Sequence, residues 1–205
     1  MKGENMNEVK ANEEIRFIKE MIERTREITA GSWMFLLVWG IMAILGVIGM
    51  YVLVFFEKYS LIWLNWVAFV AIGVIFTMVY GAKLERRKGV KTYAHQTTAY
   101  LSIACGMGFI LVGYIFPLLK LYTWGLIAVL ISLIAGIFVF VMGGIYDWNL
   151  LKWCGVIWWA GAVGLVFVHE NYRALFFIPL ILIGYIMPAL VLRSMYRKQS
   201  KENAS

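Results

Sequence analysis

Six long apolar stretches follow one another along 205 residues with only short polar breaks between them, and the Lys and Arg residues fall almost entirely into alternate breaks. A chain patterned this way is built for a bilayer. A helix needs roughly 20 apolar residues to cross a hydrocarbon core of about 30 Å, and only helices and closed barrels satisfy their backbone groups in lipid. The runs lack the in-out alternation of barrel strands, so an all-α, polytopic six-helix bundle is expected. Charged residues make up 15% of the chain, against about 25% in a soluble protein.

The predicted spans are Ser32 to Phe56, Leu61 to Ala82, Ala99 to Leu119, Leu121 to Tyr146, Leu150 to Val168 and Ala174 to Leu192. Residues 1–30 form a polar N-terminal arm, 31–193 the transmembrane domain and 194–205 a basic tail. The arm, the break between spans two and three, Lys152 and the tail carry sixteen basic residues; the other side holds Lys58, Lys120 and Arg173. By the positive-inside rule both termini are expected in the cytoplasm, in a cell (inner) membrane. The net charge of +7 then reflects insertion and requires no nucleic acid partner. The first apolar run is too long and too far along the chain for a cleavable signal, so span one is expected to be retained.

Within the arm, Ile15, Ile18, Met21, Ile22, Thr25 and Ile28 recur at helical spacing, with charges between them. From Glu13 to Glu27 there are five acids and four bases, which is not the basic face of a helix made to lie on anionic lipid. The amphipathic helix, Asn12 to Thr29, either packs on the protein's own loops or uses Ile15, Ile18, Met21 and Ile22 to dock on a partner or on a second copy.

Inside the predicted spans the central turns carry no Asp, Glu, Lys, Arg or His, and Lys152 lies near enough to a span end to snorkel. Proton-coupled carriers commonly keep an ionisable group there. Asn65, between Trp63 and Trp66, could orient a ligand or simply meet headgroups; Trp158 and Trp159 could line a cavity or divide between lipid and a neighbouring helix. Small-xxx-small pairs, Ala104 with Gly108, Ser132 with Gly136 and Ala160 with Gly164, suggest close packing, and the Gly40, Ala43, Gly46, Gly49 stripe drifts around span one toward more than one neighbour. Pro179 and Pro188, with Gly184 between them, make span six the expected kinked element.

No catalytic motif is present, no nucleophile and base are paired, and the two histidines lie toward opposite faces of the membrane, so neither an enzyme nor a metal or other cofactor is expected. Cys105 and Cys154 are expected to be packed free thiols. Asp147 and Asn149 are expected to cap span five.

The run Glu14-Ile15-Arg16-Phe17-Ile18-Lys19-Glu20-Met21-Ile22-Glu23-Arg24, leading to Trp39-Gly40 in span one, resembles small bacterial multi-span membrane proteins that carry an amphipathic arm and no assigned activity. The resemblance covers the first quarter of the chain. It implies a bacterial membrane protein whose gene stands near a winged-helix regulator, and it brings no catalytic residues. Two functions follow as expectations. The leading one is a non-enzymatic membrane anchor or sensor that engages a cytoplasmic protein or its own copy through the arm. The alternative is a membrane subunit of a small-molecule transporter, since the span pattern also resembles ABC-type exporters and the vitamin-binding components of energy-coupled importers.

Overall fold

The computed structural model describes residues 33–88 and 93–202. The predicted arm helix, with Ile15, Ile18, Met21 and Ile22, lies outside the described residues. Among the described residues there is no β-strand, and six helical passages are long and apolar enough to cross a membrane. The elements are α1 (Trp33–Phe55), α2 (Ile62–Lys88), α3 (Tyr93–Ile110), α4 (Ile127–Ile145), α5 (Asn149–Phe167), α6 (Glu170–Ile181) and α7 (Met187–Glu202). The third passage runs on from α3 through a widened π turn, Leu111–Ile115, into a last turn, Phe116–Leu118. A second π turn, Leu182–Ile186, joins α6 to α7 as the sixth passage.

The passages alternate in direction, as contacts at the two ends of the bundle show. At one end Arg193 of α7 stacks over the Trp33 ring of α1 at 5.2 Å, and the hydroxyls of Thr98 (α3) and Tyr146, just past α4, are 3.0 Å apart. At the other, the N–H of Leu175 (α6) donates to the Tyr51 hydroxyl of α1 at 3.1 Å, and Arg173 donates to the carbonyl of Gly125 at the start of the fourth passage at 3.0 Å.

Around the bundle the helices keep their chain order. α1 packs on α2 and, on its other side, on α6, the second π turn and α7. α5 packs on that same π turn and on α6, while α4 has its longest seam with α5 and another with α3. The result is an open arc in which the first and sixth passages meet and the second and third stand at its two ends. Among the described residues it has no packed seam between α2 and α3, although only 89–92 link them, a reach of about 18 Å from Lys88 to Tyr93.

Glycines set the close approaches. A Cβ on Gly155 of α5 would stand 2.6 Å from Phe140 Cβ and 2.9 Å from the Gly136 carbonyl, so α4 and α5 meet backbone to backbone. The Gly136 notch in turn receives the Trp159 ring. In the first hairpin Gly46 of α1 receives Trp66, and Gly73 of α2 receives Trp39. The drift expected for the small stripe of span one is observed, with Gly40 facing Tyr185 and Ile186 and Gly46 and Gly49 facing α2. Gly164, by contrast, has no neighbour within 4 Å, so the Ala160 and Gly164 pair is not at a seam.

Three passages end in the same turn. Glu57, Lys120 and Asp147 take left-handed backbone with φ of 57°, 56° and 47°. Each is followed by an N–H that reaches back five residues, from Lys58 to Leu53 O at 2.8 Å, Leu121 to Phe116 O at 3.1 Å and Trp148 to Gly143 O at 2.8 Å. This is the Schellman arrangement with an L-residue where glycine is usual. It corrects two expectations. The fourth passage begins at Trp124, not Leu121, because Lys120 turns the chain first. Asp147 closes α4 instead of capping span five, whose N-cap is Trp148 without a side-chain hydrogen bond, and Asn149 is already helical.

Candidate functional site

The two π turns are the only places among the described residues where a passage departs from α geometry well inside a helix. Both precede a proline by the same spacing, Leu111-Val112-Gly113-Tyr114-Ile115-Phe116-Pro117 and Leu182-Ile183-Gly184-Tyr185-Ile186-Met187-Pro188. The Phe116 N–H donates to the Leu111 carbonyl and the Met187 N–H to the Leu182 carbonyl, five residues back in each case. At the next step a proline stands where a donor is needed, so the carbonyls of Val112 and Ile183 are left over. A side chain fills each vacancy. The Tyr122 hydroxyl donates to Val112 O, and the Cys154 thiol to Ile183 O at 3.7 Å. Both turns therefore have a polar backbone group that a neighbouring side chain completes, the usual way a broken helix is tolerated in a membrane.

Their surroundings differ. The second turn is held between α1 and α5. A Cβ on Gly184 would fall 2.0 Å from Trp158 Nε1, so the indole lies directly on that glycine, with the Tyr185 and Phe177 rings at 5.2 and 5.5 Å from it. The Trp158 N–H is buried and has no hydrogen-bond partner. The first turn is looser on one side, because nothing lies within 4 Å of a Cβ on Gly113. The buried Tyr114 hydroxyl there is also unpartnered. A buried unpaired polar group costs about 1–3 kcal/mol, and native structures keep few of them.

Charge stays at the ends. The Lys152 ammonium bonds Asp147 at 2.9 Å and holds that carboxyl below its usual range. At the opposite end Arg173 donates to the carbonyls of Val168 at 2.9 Å and Val166 at 3.3 Å, closing the C-terminus of α5 where a cation suits the helix dipole. The His169 to Arg173 turn thus contains a clamp between passages four, five and six. Among the described residues no three His, Cys, Asp or Glu side chains stand together in a way that could hold a metal.

The sequence-predicted ligand residues are not gathered in one place. The Asn65 amide donates to the Gly46 carbonyl at 2.9 Å and fastens α2 to α1. Trp159 donates to Leu133 O at 3.3 Å across the seam between α4 and α5, and only Trp158 reaches a π turn. Cys105 and Cys154 are free and buried. The expected break in span six is present, and its counterpart in span three went unanticipated although Leu-x-Gly-Tyr-Ile-x-Pro stands twice in the sequence. No family model matches the chain, and neither a curated protein nor a solved structure matches it.

Proposed function

We propose that the chain is a non-enzymatic membrane carrier or the membrane subunit of one, the second of the two functions the sequence suggests, with the π turns as its moving and ligand-facing parts. The observation that supports this most is the pair of proline-terminated π turns, each with a side chain completing a displaced carbonyl and each with an unpaired buried donor on or against it. Broken helices of this kind put backbone polarity and pliability inside a bundle, which a static anchor does not need. With no charged side chain in the central turns of the passages, the solute is expected to be uncharged and small.

The carrier would sit in a bacterial inner membrane with both termini in the cytoplasm, as the sixteen-to-three split of basic residues supports. A contact of Ile15, Ile18, Met21 and Ile22 with a soluble regulator or a second copy would add control to such a carrier. Mild-detergent or nanodisc purification from the native cell, followed by native mass spectrometry, tests the reading. A retained small molecule or an associated ATPase is the expected result. Recovery of only a soluble regulator, with no small molecule and no ATPase, would replace the carrier with the anchor or sensor.

A further inference from the structure

The likeness between the two π turns extends beyond seven residues. Residues 110–121 and 181–192 are identical at eight of twelve positions: Ile110 and Ile181, Leu111 and Leu182, Gly113 and Gly184, Tyr114 and Tyr185, Ile115 and Ile186, Pro117 and Pro188, Leu119 and Leu190, Leu121 and Leu192. Each run carries the π turn and proline of the third passage of a triplet, passages one to three and four to six; the first runs on past the helix end at Leu118 into the Lys120 turn, while the second stays helical throughout. Three is odd, so in an alternating bundle the second triplet enters from the opposite face. The first hairpins of the triplets match as well. Glu57 and Asp147 close α1 and α4 in the same left-handed turn. Eleven residues before them, Gly46 and Gly136 each receive a tryptophan from the following helix, Trp66 and Trp159.

Exchanging the triplets pairs the seams of the bundle. The seam of α1 with α2 corresponds to that of α4 with α5, and both are packed. The seam of α3 with α4 corresponds to that of the sixth passage with α1, and both are packed. The third pair is broken: α5 packs on the sixth passage, with Trp158 on Gly184, whereas among the described residues α2 has no packed seam with α3 and a Cβ on Gly113 meets nothing within 4 Å. One sequence pattern is in two environments.

We propose that the two triplets are inverted repeats and that the seams of α2 with α3 and of α5 with the sixth passage open in turn toward the bilayer, admitting an uncharged, lipid-soluble molecule. This deepens the carrier reading and rests on it. The structure has the second seam closed and the first open; in the exchanged state an α2 side chain seats on Gly113 as Trp158 now seats on Gly184. The chemical class of solute follows from composition, whichever faces line the opening. α2 has no charged residue between Ile62 and Ala82, and the third passage has none from Gln96 to Leu119. Only a solute already dissolved in lipid gains by entering there.

Spin labels test the exchange on the full chain in nanodiscs, at Val67→Cys with Ile110→Cys and at Ala160→Cys with Phe176→Cys, in a Cys105→Ala, Cys154→Ser background that keeps a donor to Ile183. Each pair is expected to give a short and a long population, the short one matching helix axes about 8–10 Å apart. Gly113→Leu, whose Cβ meets nothing within 4 Å, is expected to remove the short population at the first pair and leave only the short one at the second. Gly184→Ala, which displaces Trp158, is expected to do the reverse. A single population at both pairs in the parent protein, or populations unmoved by Gly113→Leu, would overturn the exchange. At Ile110 the label in Gly113→Leu is expected to relax with molecular oxygen and not with a water-soluble nickel chelate; relaxation by the chelate would overturn entry from lipid. A protein that retains a small molecule on purification but shows one population has lost the exchange and kept the carrier.

Discussion

A left-handed turn made by an L-residue carries a strain of about 1–2 kcal/mol that glycine avoids, while glycine costs roughly 0.5–1 kcal/mol of extra chain entropy on folding. Lys120 has φ 56°, and among the described residues no salt bridge holds its side chain. Lys120→Gly is therefore expected to stabilise the protein by up to about 1 kcal/mol, read as a raised Tm in detergent; a lowered Tm would mean that the lysine holds the turn by other means. Asp147 has a similar backbone but a different part to play, because Lys152 bonds its carboxylate. Its folded pKa lies below its unfolded one, so the link contributes fully above the unfolded value and is lost as pH falls through the folded value. Lys152→Gln is expected to return the Asp147 titration to the usual carboxylate range, followed by NMR of selectively labelled aspartate. An unchanged titration would remove Lys152 as the cause.

At the scale of helices, glycine position decides what a methyl group does. Gly155→Ala would press on Phe140 and on the Gly136 carbonyl, and parting two backbones is expected to cost about 1–3 kcal/mol. Gly164→Ala meets nothing within 4 Å and removes a flexible residue from a helix, for a change between zero and a gain of about 1 kcal/mol. Thermal melts should show a loss for Gly155→Ala and none for Gly164→Ala; equal losses would place Gly164 in a seam. Both glycines stand in apolar helices with small neighbours, so spacing alone suggested a packing stripe at Ala160 and Gly164 as readily as at Ser132 and Gly136. The difference comes from which face meets a partner, a tertiary property. The spans themselves were legible because length and apolarity act locally, and the kink near Pro188 was legible because proline removes a donor. The turn at Leu111–Ile115 was equally readable from Pro117. Its proline lies close to a span end because Lys120 stops the helix there, with no equivalent at Val191, where the sixth passage continues.

For the whole molecule, chain order and charge together make a stronger statement than either alone. The alternation of the passages puts the α1–α2 and α3–α4 turns at one end, with Lys58 and Lys120, and Lys83 with Ser194 at the other. Among the described residues Lys and Arg concentrate at the second end, which by the positive-inside rule is expected to face the cytoplasm. Inverted repeats sharpen the point, since two triplets of opposite direction have no common preference of their own and the Lys and Arg bias must set which face is inside. Single cysteines at Lys58, Lys120, Lys83 and Ser194, all exposed positions, separate these requirements. In intact cells a membrane-impermeant maleimide is expected to label Lys58→Cys and Lys120→Cys, and to label Lys83→Cys and Ser194→Cys only after permeabilisation. The opposite pattern would reverse the orientation and leave the six passages standing. Labelling of Lys58→Cys and Lys83→Cys from the same side would remove the second passage, and with it the equivalence of the triplets on which the exchange of seams depends.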